Sequence, residues 1–162
     1  MTEAELTDVY ERLSGAVLRY CAFRLGSRHD AEDAAAEVFA RLIANADRIR
    51  PDTREAWLFK VARNVCNDRH REVAREHLPS ELGVEGGPDV AWVEPRVREA
   101  VARLTSGQQQ VVFLRVFEDL AFSEVGRLCG RREAAVRVQY HRAISRLRKL
   151  LQEVDPCLME AQ

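Results

Sequence analysis

Residues 127–151 read RLCGRREAAVRVQYHRAISRLRKLL, and this stretch sets the architecture. Val136, Tyr140, Ala143, Ile144, Leu147 and Leu151 recur at steps of three and four, which lines them along one side of a helix. Arg137, His141, Arg142, Arg146, Arg148 and Lys149 fall mostly off that stripe. A short apolar segment ends just before Gly130, so the pattern is a helix–turn–helix whose second helix is long and basic. The major groove of DNA admits one helix. There an arginine can bond guanine through two hydrogen bonds while neighbouring cations hold phosphates. The stretch points to DNA binding by an all-α protein.

Outward from it, charge divides the chain. Residues 96–151 carry 12 basic against 5 acidic side chains, whereas residues 1–95 carry 13 against 18. A basic C-terminal half suits a phosphate backbone, and an acidic N-terminal half implies a second task. The whole chain, 162 residues with a net charge of −1, has room for one ordinary domain or two small ones. Cys21, Cys66, Cys129 and Cys157 are scattered without a C-x-x-C pair and read as small apolar residues of a reducing compartment. With His29, His70, His77 and His141 they make no zinc spacing. No nucleophile elbow, phosphate loop or paired-carboxylate arrangement supports an enzyme, and no cofactor is expected. Neither a signal peptide nor an apolar run of membrane-spanning length is visible, so the expectation is a cytoplasmic protein without membrane insertion.

The rest of the chain is helical by period. Leu6, Val9, Leu13, Val17, Leu18 and Cys21 make a first amphipathic segment ending near Gly26. Ser27 and Asp30 are capping candidates for a second over 29–46, apolar at Ala35, Val38, Phe39, Leu42 and Ala46. Arg50 to Thr53 forms a loop around Pro51. A third helix runs from Arg54 to Arg71, apolar at Leu58, Val61, Ala62 and Val65. Residues 74–95 bring Pro79, Gly83, Gly86, Gly87, Pro88 and Pro95 with five acidic residues and an isolated Trp92, the composition of a linker. Helices then follow over Arg96–Leu104, from a Thr105/Ser106–Gln108/Gln109 capping box to Phe117, and over Phe122–Cys129. The long basic helix comes last. The domains expected are 1–73 and 96–152, joined by the linker 74–95 and followed by a tail, 153–162.

Two stretches resemble sigma factors of bacterial RNA polymerase, in the extracytoplasmic-function (ECF) branch. DAEDAAAEVFARLI (30–43) with REAWLFKVARNVCNDRHRE (54–72) is similar to the family's region 2, and LTSGQQQVVFLRVFEDLAFSEVGRLCGRREAAVRVQYHRAISRLRKLL (104–151) is similar to region 4. The resemblance implies a transcription initiation factor that binds core RNA polymerase, melts the −10 element with its N-terminal domain and reads the −35 element with its helix–turn–helix. It also implies an anti-sigma factor as partner. A stand-alone helix–turn–helix regulator is the alternative. The two are told apart by whether the protein footprints double-stranded promoter DNA alone or needs core polymerase.

By that match, Asp30, Asp33, Glu37 and Phe39 contact polymerase, with Ala36 where the family often has glutamine. Read by themselves, these acidic residues need be no more than dipole partners at a helix start and a solvated face. On the third helix Lys60, Arg63, Asn64, Asn67 and Arg71 form a polar face opposite Leu58, Val61 and Val65. Single-stranded DNA is held by cations along its backbone and by planar groups on its bases. The asparagines suit base edges and Lys60, Arg63 and Arg71 suit phosphates of the −10 strand. Trp57 stands open between a wedge against the duplex and a core residue. Asp68 is expected to pair with a nearby arginine.

For the −35 element the match assigns Arg137, Val138 and His141 to bases and Arg131, Arg132 and Arg142 to phosphates, with Gln139 intermediate. The family's usual capping serines are replaced by Ala121 and Arg132, with Asp119 or Ser123 as stand-in caps, and Arg131 and Ala135 stand where an apolar residue and a threonine are usual. A distinct −35 preference is the expected consequence.

Overall fold

The computed structural model describes residues 1–76 and 94–154, and all its regular structure there is helical. Helix α1 (Glu3–Leu25) opens on a capping box, in which the Glu5 amide donates to Thr2 Oγ1 (3.2 Å) and the Thr2 amide to Glu5 Oε2 (2.8 Å). It stops at Gly26, whose φ of 69° puts it in the left-handed region that glycine adopts at least cost. Ser27 caps α2 (Arg28–Ala44) by accepting from the Asp30 amide. A single 3-10 turn at Pro51–Thr53 leads into α3 (Arg54–Glu76).

The second unit begins with α4 (Pro95–Ala102), which places proline at its first position, where the missing N–H leaves no bond unmade. Thr105 and Gln108 form the expected capping box at α5 (Ser106–Val112), which runs on through one π-helical turn, Phe113–Phe117. Then come α6 (Phe122–Cys129), the turn at Gly130 with φ 64°, and α7 (Glu133–Val154). Among the described residues no helix is long and apolar enough to cross a membrane.

Three local expectations are corrected. Helix α2 ends at Ala44, where the Asn45 side chain bonds the Arg41 carbonyl (2.8 Å), so Ala46 lies beyond the helix and Ile49 is the residue buried from this corner. Helix α3 continues past Arg71 to Glu76, because nothing in this charged stretch breaks a helix even though its apolar stripe has run out. On α7 the buried leucine is Leu150, with Leu151 only half-buried. The reading of residues 77–93 as a linker, Trp92 included, and of the tail beyond Val154 lies outside the described residues.

The two helical units share one core. Tyr20, Cys21, Val38, Leu42, Leu58, Phe59 and Val65 belong to the same buried cluster as Val111, Phe113, Leu114, Val125, Leu128 and Val136. Aromatic rings make the seam. Phe113 sits edge-on to Tyr20 (centroids 5.4 Å) and tilted against Phe23 (5.3 Å), which also meets Phe117 at 5.1 Å. Each such ring taken out of water contributes roughly 1.5–3 kcal/mol. A second, smaller cluster of Leu104, Val112 and Ala143, with Leu147 against it, fixes α7 to its own unit.

Candidate nucleic-acid interface

The helix–turn–helix is held by close approach. A Cβ at Gly126 would lie 2.8 Å from the Arg131 carbonyl oxygen, and the Arg131 amide donates to the Gly126 carbonyl at 2.8 Å. Only glycine lets the turn come this near to α6. Neither Asp119 nor Ser123 caps α6. The Glu124 carboxylate accepts from the Ala121 amide (3.0 Å), while Asp119 takes a φ of 52° in the preceding turn. A carboxylate three residues into the helix thus replaces the absent serine.

Arg131 and Arg132 in the turn, and Val138, His141 and Arg142 on the exposed side of α7, all face solvent, Val138 at 50%. Arg137 is exposed as well, but its guanidinium lies 4.6 Å above the Phe122 ring and bonds Glu133 Oε1 at 2.6 Å. Phe122 also carries Arg115 at 4.7 Å and meets Tyr140 edge-on at 5.3 Å. Arg137 is therefore held by Glu133 on its own helix, with part of its guanidinium still open to solvent. Gln139 is half-buried; its Oε1 accepts from Arg131 Nη1 at 2.8 Å.

The α3 face divides into open and engaged residues. Lys60, Asn64 and Arg71 are exposed, and Arg71 pairs with Asp68 (3.3 Å). Trp57 is half-buried and packs on the shared core, so it is partly the interior residue of the two alternatives. Asn67 is bound at both ends of its amide: Oδ1 accepts from Arg24 Nη2 (2.6 Å) and Nδ2 donates to Ser106 Oγ (3.4 Å). Arg24 in turn donates to the Tyr20 hydroxyl at 2.9 Å. A polar thread thus runs Tyr20–Arg24–Asn67–Ser106 from α1 through α3 to α5. Arg63 and Gln139 meet beside Gly107: a Cβ there would be 4.0 Å from Arg63 Nη1 and 2.8 Å from Gln139 Nε2.

The acidic set on α2 is solvent-facing at Asp30 and Asp33, the latter near His29 (3.4 Å). Glu37 is half-buried between Arg41 (2.5 Å) and Arg69 (3.4 Å). Phe39 is only 8% exposed, and Tyr10, 54% exposed, stacks edge-on over it at 4.9 Å. Tyr10 is thus the aromatic exposed on this face, with Phe39 beneath it.

Sequence reasoning missed Tyr10, Phe122, Glu133, Gly126 and the Tyr20–Arg24 pair. The Glu133–Arg137 spacing of four was a visible signal. The others were not, because they depend on which helix lies opposite. Burial raises the Tyr20 hydroxyl pKa, and it pushes the Cys129 thiol up to about 11. Hydrogen bonding to Cys66, then burial, raises Cys21. None of these groups is poised for acid–base work near neutrality. Among the described residues no group of three or more histidines, cysteines and carboxylates stands together as a metal site.

Comparison with known proteins gives two family matches, Sigma-70 region 2 over residues 9–76 and Sigma-70, region 4 over residues 95–147. The ECF RNA polymerase sigma factor SigD of Mycobacterium tuberculosis is 32% identical, over 88% of this chain and 75% of its own length. BldN of Streptomyces coelicolor, another ECF sigma factor, is 30% identical over 88% of this chain; the match spans 59% of BldN. Among solved structures, the sigma factor RpoE in complex with the anti-sigma factor NepR from Bartonella quintana superposes with a TM-score of 0.64 at 18% identity, covering 92% of this chain and 97% of that one. CnrH in complex with the cytosolic domain of CnrY gives 0.61 at 21%, covering 95% and 91%. At these identities the structures testify to the fold.

Proposed function

The chain belongs to the ECF sigma factors of bacterial RNA polymerase, and from that premise we propose how its residues divide the work of starting transcription. It binds core polymerase and directs it to promoters in the cytoplasm. It catalyses nothing itself, and an anti-sigma factor holds it in reserve. Residues 1–73 meet polymerase and the −10 element; residues 96–152 meet the −35 element. The polymerase surface is Asp30, Asp33 and Glu37 with Tyr10 standing over Phe39. On the −10 strand, Asn64 and Asn67 take base edges, Lys60, Arg63 and Arg71 take phosphates, and Trp57 borders the melted junction. On the −35 duplex, Arg137, Val138 and His141 face bases, Gln139 lies at the edge, and Arg131, Arg132 and Arg142 hold phosphates.

The observation that carries this division is the exposed face of α7, where Arg137, His141 and Arg142 stand opposite the buried Val136 and Ala143, with Arg131 and Arg132 exposed in the turn before it. An arginine bidentate to guanine discriminates by roughly 1–3 kcal/mol per base pair. Run-off transcription with purified core polymerase on genomic fragments tests the reading. Promoter-specific transcripts should depend on both proteins. A protein that footprints duplex promoter DNA alone and adds nothing to polymerase would be a stand-alone regulator.

A further inference from the structure

We propose that Glu133 and Phe122 are positioning residues for Arg137, holding its guanidinium so that the terminal edge is the one offered to a guanine of the −35 element. The proposal rests on the base-reading role just given to Arg137.

Its first support is the hydrogen bonding. A guanidinium presents its five N–H groups in a fixed planar fork. In Arg137 the side edge is occupied, since Nε (3.2 Å) and Nη2 (2.6 Å) both donate to Glu133 Oε1. The terminal edge, Nη1 with the second Nη2 hydrogen, has no hydrogen bond among the described residues, and the side chain is 52% exposed. Two parallel donors are what guanine O6 and N7 accept in the major groove. The carboxylate thus takes one edge and leaves the other for a base.

The second support is the ring. The Arg137 guanidinium lies 4.6 Å from the Phe122 centroid, an attractive placement for a cation over an aromatic face. Phe122 is itself fixed, by Tyr140 edge-on at 5.3 Å and by Arg115 at 4.7 Å, which also donates to the Leu120 carbonyl at 3.1 Å. Phe122 opens α6, so an arginine of one helix is braced by the start of another. The carboxylate limits rotation of the guanidinium and the ring limits its tilt.

The third is charge. Glu133 is the only carboxylate between Glu124 and Glu153. On a surface that meets phosphates it repels the ligand. A role as dipole partner accounts for its place in the first turn of α7. That role does not account for two donors of one arginine converging on it above a ring. Pre-organisation does, because a free arginine loses rotamer freedom on docking and one held in advance does not. Only the matching base makes the bonds, so the benefit is read as discrimination.

Holoenzyme binding to promoter duplexes substituted at each −35 base pair tests this. Arg137→Ala locates the pair that Arg137 reads, where guanine should be the preferred base. At that pair Glu133→Ala should lower the preference roughly three- to tenfold. Phe122→Leu should lower it at least about twofold, while Phe122→Tyr, which keeps the ring, preserves it. In the Arg137→Ala background, Glu133→Ala should change the preference no further. Affinity of Glu133→Ala for promoters with other bases there should not fall, because a negative charge has left the DNA face. A merely structural glutamate would instead lower binding to all of them alike. An unchanged or sharper preference in Glu133→Ala overturns the positioning role, and so does a preferred base other than guanine. If Phe122→Leu loses the fold, Glu133→Ala at its exposed site decides alone. If Arg137→Ala itself alters no base pair, the base-reading role fails and the positioning with it.

Discussion

Arg137 and Arg142 lie on the same exposed side of α7 and differ in what they hold. Arg137 is bonded to Glu133 above the Phe122 ring, whereas Arg142 is exposed and has no ion pair among the described residues. On the proposed roles, Arg137→Ala changes preference at one −35 base pair, and a uniform loss across promoter variants would count against base readout. Arg142→Ala weakens binding to every sequence and lowers the salt slope by about 1; salt titrations of holoenzyme on promoter DNA check this. Cys129 gives a third residue-scale expectation. Its thiol, pushed up to about 11 by burial, is protonated below that pH, and the thiolate is the reactive form. Iodoacetamide at pH 8 should modify it about 100-fold more slowly than a free cysteine, with the rate climbing until pH nears 11. Fast labelling at pH 8, read by mass spectrometry, would contradict the burial. The polar residues of this scale were largely visible in the chain, since a helix period assigns each to the solvent side. Phe39 was not, because its exposure depends on Tyr10 from α1.

The element on which the DNA surface depends is the α6–turn–α7 unit, and its limits are steric. Gly130 was legible as punctuation, and its φ of 64° gives the reason. Gly126 was not, since nothing local distinguishes it from a weak helix residue. Its need appears only when the turn folds back to within 2.8 Å of its absent Cβ. Gly126→Ala should therefore destabilise the unit by roughly 1–3 kcal/mol through forced backbone displacement, and promoter binding should fall with it. Gly130→Ala should cost about 1 kcal/mol, the ordinary penalty of a left-handed residue with a side chain. Urea denaturation of both variants checks the order. Equal stability of Gly126→Ala and the unsubstituted protein would mean that the turn is looser than this geometry.

At the scale of the molecule, the shared core makes the two units one cooperative body in the free state. Phe113 is the joint, packed between Tyr20 and Phe23. Phe113→Ala should remove about 3–5 kcal/mol and split a single calorimetric transition into two, as each unit melts by itself. One undivided transition in the variant would show that the coupling runs elsewhere. Tyr20, the largest fully buried side chain among the described residues, escaped the apolar pattern because it carries a hydroxyl, which accepts from the buried Arg24 guanidinium. Such a pair reads as polar in a periodicity count.

Helix identity, the stops at Gly26 and Gly130, the capping box at Thr105 and the opposed charges of the two halves were all present in the order of residues. Each depends on neighbours within about four positions or on a sum over a segment. The folded chain alone decided that Asn67 is tied to Ser106, that Arg63 and Gln139 flank Gly107, that Phe39 lies under Tyr10 and that α6 needs Gly126. These depend on which surfaces meet across tens of residues. A helix period states which side is apolar, and only packing states what that side faces.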